Sequence, residues 1–121
     1  MYLTSTFGAG FVLPDPGYFS IWITEIDIKT GNSLTESRVL HVSTLPLDTP
    51  RLAEGSHLFK KDGYYYLMTA EAGTDVQHRE MIKRARSLDG PWEENPNNPI
   101  LFNGQYYYHK EICMISETTS S

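Results

Sequence analysis

Apolar and polar residues alternate with period two along most of this chain, and that alternation predicts strands. Phe19, Ile21 and Ile23 interleave with Ser20, Trp22 and Thr24, the pattern of a half-buried strand. The cluster Lys29-Thr30-Gly31-Asn32 closes the run as a turn. Leu34 to Val42 returns as a second strand, with Val39 and Leu40 apolar. Pro46 and Pro50 bracket a loop that delivers the chain to Arg51-Leu52-Ala53-Glu54. The clearest hairpin follows, with His57 to Lys60 as one arm and Tyr64 to Thr69 as the other. Asp62-Gly63 stands between the arms and suits a type I′ turn, because both residues tolerate positive φ.

Ala72-Gly73-Thr74-Asp75 is the next loop. Arg79 to Arg86 alternates again, with Met81, Lys83 and Ala85 on one side; its helix propensity is fair, and the period favours a strand. Leu88-Asp89-Gly90-Pro91 forces a turn, and Trp92 opens a short edge segment. Asn95 to Pro99 reads as a linker between modules, and Ile100 to Tyr108 as one more strand. The polar end, Glu117 to Ser121, reads as disordered. No amphipathic helix is predicted. From Glu54 to about Asn98 the pattern gives four short strands joined by tight turns, the size and strand count of one β-propeller blade. Met1 to Val42 reads as the later strands of a preceding blade.

Composition narrows the picture further. The chain has 121 residues, 40% hydrophobic and 21% charged, enough for one modest core. A net charge of −5 argues against nucleic acid as a partner. No stretch approaches the about 20 apolar residues of a membrane span, so no membrane partner is expected. Met1 to Phe11 lacks a basic region followed by a long apolar run, and no secretory signal is read; extracellular and cytoplasmic locations both stay open. The one cysteine, Cys113, has no internal disulfide partner and no zinc spacing, and reads as a free thiol without a role. No His, Cys or Asp cluster has metal-ligand spacing and no Gly-rich phosphate loop occurs, so neither a metal nor a cofactor is expected.

The segment from Arg51 to Thr74, RLAEGSHLFKKDGYYYLMTAEAGT, strongly resembles the signature of glycoside hydrolase family 43. That family holds β-xylosidases, α-L-arabinofuranosidases and arabinanases. Its pattern is a Glu-Gly-Pro-His turn, a hairpin ending in tyrosines, then Ala-Glu-Gly-Gly-Thr. Ile21-Trp22-Ile23-Thr24-Glu25-Ile26-Asp27 to Gly31 is also similar to the family, as are Arg86-Ser87 to Gly90-Pro91-Trp92 and Asn98-Pro99-Ile100-Leu101. The likeness covers about residues 2–103 and is nearest the fungal-type branch. It implies an all-β fold, a fragment of about two blades of a five-bladed β-propeller, over residues 1–103, with 104–121 a divergent, disordered tail. Ser56 stands where the family has Pro, and Ala72 where it has Gly; the second exchange matters only if that position needs positive φ. Past Asn103 the family continues into a Gly-His segment, whereas this chain reads Gln105-Tyr106-Tyr107-Tyr108-His109-Lys110, the reading expected of a truncated gene product.

The resemblance implies a chemistry as well. Breaking a glycosidic bond needs a proton for the departing oxygen and a second carboxylate for the nucleophile. By motif, Glu54 is the general acid, a role that requires its carboxyl to be protonated near working pH. The family inverts configuration, so its second carboxylate, an Asp, activates water. A further Asp raises the acid's pKa. Asp15, Asp27, Asp48, Asp62, Asp75 and Asp89 match neither motif, and Asp27 and Asp62 read as turn formers. Thr74 matches a position that lines the sugar pocket, with a loop-capping role as the alternative. His57 is read as substrate-side, orienting a buried turn. Glu71 is read as a structural or solvated carboxylate bonded within its blade. The Tyr64-Tyr65-Tyr66 run offers a sugar platform, but only alternate strand residues share a face, and packing between strands or blades explains it more simply. Trp22 and Trp92 read as core. The expected substrate is an oligosaccharide of xylose or arabinose units. Two rivals stand beside the hydrolase: a non-catalytic remnant acting as a sugar-binding or interaction module, and a fragment that does not fold alone.

Overall fold

The computed structural model describes residues 1–7, 19–46 and 48–102. Asp15, Cys113 and the tail expected over 104–121 lie outside them, as does the stretch 103–108 of the last expected strand. Every regular element among the described residues is a strand. Strands β1 (Tyr2–Phe7), β2 (Ser20–Glu25) and β3 (Arg38–Val42) form an antiparallel sheet in the order β1-β2-β3. Strands β4 (Ala53–Lys61), β5 (Tyr64–Glu71), β6 (Arg79–Ala85) and β7 (Glu93–Glu94) form a second in the order β4-β5-β6-β7, and β8 (Leu101–Phe102) also pairs with β6.

The hairpin at the centre of the second sheet forms as its turn chemistry dictates. Asp62 has φ 52° and Gly63 φ 81°, the two left-handed residues of a type I′ turn. The ladder then runs without interruption from Lys61↔Tyr64 back to His57↔Met68. Arg79–Ala85 is a strand despite its helix-compatible composition, because each of its residues pairs with β5, from Glu71↔Arg79 to Tyr65↔Ala85. A ladder on a partner already in place outweighs the small propensity differences among these side chains.

Two expectations are corrected. The strand expected over Leu34–Val42 begins only at Arg38. Before it, Leu34 N donates to Glu25 O at 2.7 Å and Thr35 Oγ1 accepts from Glu25 N at 3.1 Å, so a side chain takes the place of a ladder partner and Leu34 stays exposed. The second correction concerns Asn95 to Pro99, which is no linker. Asn95 N donates to Ile82 O at 3.1 Å and Ile100 N to Glu80 O at 2.9 Å. Between them, Asn98 Oδ1 accepts from Ile82 N at 3.1 Å and Asn98 Nδ2 donates to Ile82 O at 2.8 Å. A primary amide presents the same donor and acceptor as a peptide. Asn98 therefore stitches the segment to β6, and β7, this bulge and β8 together form the outer border of the sheet.

One core joins the two sheets. Ile21, Ile23 and Leu40 from the first meet Ala53, Leu67 and Leu88 from the second, with Leu58, Tyr65 and Trp92 packed around them. Trp22 is half-buried against the Phe7 ring at 5.3 Å. Strand β1 lies beside β4, and Phe19 N donates to Arg51 O at 3.1 Å, so the entry to β4 is tied to the first sheet.

Candidate functional site

Glu54 is the second residue of β4 and is half-buried. It pairs with Ala70, and the ladder then breaks until His57↔Met68. The break leaves Gly55 and Ser56 unpaired, a β-bulge that bends the strand and re-aims its side chains. Gly55 has φ 55°, a region a side chain enters only with strain. A Cβ at this position would also stand 3.5 Å from the Ala70 Cβ. Ser56, in place of the family's Pro, donates through Oγ to Thr4 Oγ1 at 2.9 Å and so adds a bond from the bulge to β1.

Directly opposed residues of antiparallel strands share a face. Ala53 and Glu71 therefore look toward the core, and Glu54 and Ala70 toward the opposite face. Glu80 lies opposite Ala70 on β6, which puts Glu54, Ala70 and Glu80 in one row across the sheet. His57 falls on the same face as Met68 and is exposed, which corrects the expectation of a buried turn around it. Thr74 is exposed in the loop after β5. Ala72 N donates to Leu52 O at 3.0 Å, so this loop begins beside the approach to Glu54. Glu54 and Thr74 thus occupy the same end of the hairpin, away from Asp62-Gly63. No hydrogen bond or ion pair joins Glu54, His57 and Thr74.

Ala72 answers the question its Gly→Ala exchange raised. Its φ is 67° and that of Gly73 is 76°. The position does need a left-handed backbone, and here an alanine adopts it at a cost of about 1–2 kcal/mol.

Glu71 is the residue that motif reading undervalued. It is 2% exposed. Its Oε2 accepts from Thr69 Oγ1 at 2.6 Å and lies 3.0 Å from His41 Nε2 of β3. Burial pushes the carboxyl up, but the His41 hydrogen bond, the His41 charge, Thr69 and Ser43 together outweigh it and hold the group below its ordinary value. The Thr69 bond lies within the blade, as expected, and the His41 contact adds a tie between the two sheets. The parity of Leu67, Thr69 and Glu71 along β5 was the available signal that this carboxylate faces the core. Lys83 shares the inner face. Burial pushes its ammonium below the usual lysine value, while Glu94 and Glu71 pull it up.

The tyrosine run splits as strand geometry requires. Tyr66 stacks on Phe59 at 5.3 Å and tilts against Tyr64 at 6.3 Å, and Arg84 and Arg86 lie over the Tyr64 ring at 4.3 and 4.5 Å. Tyr65 is on the other face under Lys60, 5.1 Å away. A cleft of about 220 Å³ opens beside this row between Tyr66, Ile82, Arg84, Glu93 and Asn95. Glu54, His57 and Thr74 do not line it. Among the described residues no group of three or more His, Cys, Asp or Glu side chains is placed to hold a metal ion, and no helix is long and apolar enough to cross a membrane.

Known proteins account for this arrangement. The family model for glycosyl hydrolases family 43 matches residues 11–113. A non-reducing end α-L-arabinofuranosidase of Bacteroides ovatus is 52% identical over 94 residues, covering 77% of this chain and 17% of that protein. A xylosidase/arabinosidase of Butyrivibrio fibrisolvens is 38% identical over 99 residues, covering 82% of this chain and 19% of that protein. Among solved structures, a GH43_12 protein retrieved from a capybara gut metagenome superposes with a TM-score of 0.73 at 33% identity, over 85% of this chain and 20% of the other. A xylan β-1,4-xylosidase from Bacillus halodurans does so with a TM-score of 0.68 at 29% identity, over 86% and 19%. The chain thus spans about a fifth of the length of the relatives it matches. A family model fitted to most of the sequence, and a fold shared with solved members, place the chain in glycosyl hydrolase family 43.

Proposed function

We propose that this chain is the acid-bearing part of a glycoside hydrolase that cleaves xylo- or arabino-oligosaccharides of hemicellulose with inversion, and that Glu54 is its general acid. The observation that carries the reading is Glu54 held beside the Gly55 bulge, at the mouth of a family-matched hairpin. In this reading Glu54 protonates the glycosidic oxygen as its bond to the anomeric carbon breaks. A carboxylate about 6.5–9.5 Å away takes a proton from the attacking water. Thr74, at the same end of the hairpin, meets a sugar hydroxyl, and His57 stands on the substrate side. The two sheets are adjacent blades of a five-bladed propeller. Their face-to-face core, the four-strand path β4-β5-β6-β7 and the contact of β1 with β4 support that arrangement.

The names of the relatives support a pentose substrate. None of the aspartates in this sequence matches the family's base, and Glu54 does not line the cleft beside Tyr66. The chain alone is therefore expected to turn over aryl β-xylosides and aryl α-L-arabinofuranosides little or not at all. The decisive experiment grafts residues 51–74 into the matching segment of the Bacteroides ovatus arabinofuranosidase. The graft is expected to keep activity, and Glu54→Gln within it to lower kcat by about 10²–10⁴-fold. Full activity of that variant refutes the assignment of Glu54.

A further inference from the structure

The loop that carries Thr74 is braced by a histidine at its far end. His78 Nδ1 lies 2.7 Å from Gly73 O. A carbonyl oxygen only accepts, so Nδ1 carries the hydrogen. The other ring nitrogen, Nε2, lies 3.4 Å from Glu80 Oε1 on β6. The backbone of His78 also donates to Asp75 O at 3.0 Å. The ring thus spans the loop from its last residue to the peptide directly before Thr74, with a strand carboxylate behind it.

The brace acts where the backbone is least comfortable. Ala72 and Gly73 are consecutive left-handed residues, at φ 67° and 76°. An alanine holds that region only when surrounding contacts over-determine it. On one side the contact is Ala72 N to Leu52 O at 3.0 Å; on the other it is the imidazole on Gly73 O.

We propose that His78 is a positioning residue of the sugar site: its Nδ1–H bond to Gly73 O, backed by Glu80, sets the Thr74 hydroxyl for a xylo- or arabino-oligosaccharide. The proposal rests on the reading of Thr74 as a sugar contact. His78 itself touches no substrate. Its contribution is to spare the ligand the entropy of ordering the loop.

The geometry supplies its own controls. In His78→Asn the amide nitrogen replaces Nδ1, whereas in His78→Gln it replaces Nε2 and faces Glu80. The test uses the full chain, labelled with ¹⁵N, with amide order parameters for Thr74 and Asp75 and titration with xylobiose and arabinobiose. Spectral dispersion of β4, β5 and β6 reports that each variant is folded. In His78→Ala and His78→Gln the order parameters are expected to fall from about 0.85 to below about 0.6. Sugar Kd is expected to rise about five-fold, the equivalent of one neutral hydrogen bond. His78→Asn is expected to keep both values near those of the parent. Equal loop order in all three variants overturns the brace whatever the sugars do. A loosened loop with unchanged sugar Kd overturns the positioning role. A parent chain that binds neither sugar, with the loop still loosened selectively by Ala and Gln, removes the sugar reading of Thr74 and leaves the brace standing.

Discussion

His41 Nε2 lies 3.0 Å from Glu71 Oε2 in a pocket where the two side chains are 5% and 2% exposed, and this contact ties the first sheet to the second. The same oxygen accepts from Thr69 Oγ1 at 2.6 Å. A buried carboxylate is costly unless its partners stay in place. The pair therefore specifies how the sheets meet.

The pair makes stability depend on acid. The Glu71 carboxyl titrates below its ordinary value of 4.5 in the folded chain. Its stabilisation is present above that value and is lost as pH falls through the lower, folded value. Glu71→Ala is expected to cost about 1–3 kcal/mol at neutral pH, because it leaves the buried His41 Nε2 without its partner. Glu71→Gln is expected to flatten the acid limb of the stability curve. Urea unfolding between pH 7 and pH 3 measures both, and an unchanged acid limb in Glu71→Gln contradicts the assignment.

Asn98 is expected to control the outer border of the second sheet. Asn98→Ala leaves the Ile82 N–H and C=O without the partners that the amide supplies. The expected loss is about 1–3 kcal/mol. Hydrogen exchange is expected to accelerate at Ile82 and at Ile100, whose N–H bonds Glu80 O. Unaltered exchange at both amides counts against the stitch.

Ala72 offers a test of backbone strain. Gly at this position removes the steric penalty of about 1–2 kcal/mol but adds unfolded-state entropy of about 0.4–1 kcal/mol, so Ala72→Gly is expected to leave stability unchanged or raise it by up to about 1.6 kcal/mol. Ala72→Val places a β-branched side chain at φ 67° and is expected to cost about 1–3 kcal/mol or more. Thermal melts of the two variants beside the parent distinguish them, and equal melting temperatures defeat the argument.

The face bearing Phe59, Tyr64 and Tyr66 is expected to make the isolated chain self-associate and bind hydrophobic dyes. Phe59 is 44% exposed and forms a continuous aromatic row with the two tyrosines, a patch of the kind that marks an interface. Sedimentation is expected to depend on concentration, and Phe59→Lys to weaken that dependence. A dye-silent monomer at all concentrations rules this out.

The hairpin and the strand character of β6 were legible in the sequence because both rest on local rules. Asp62-Gly63 demands a left-handed turn, and alternation over Arg79–Ala85 is a strand signal that propensity does not overturn. The placement of Glu54 ahead of the hairpin was legible for the same reason, from the residues around it. Asn95 to Pro99 carries in its prolines and asparagines the local marks of a linker, and nothing local reveals that it borders the sheet. Its real partner, Ile82, belongs to a different strand.

What the sequence determined by itself is therefore the set of interactions between near neighbours: strand period, turn type, and the order in which the candidate acid, the hairpin and the Thr74 loop follow one another. Only the tertiary structure decided that Glu71 meets His41, 30 residues away, that Asn98 completes a strand edge, and that Ala72 is held left-handed beside Leu52. These depend on which surfaces the collapsed sheets bring together, and a buried charge or an amide finds its partner only after that packing exists.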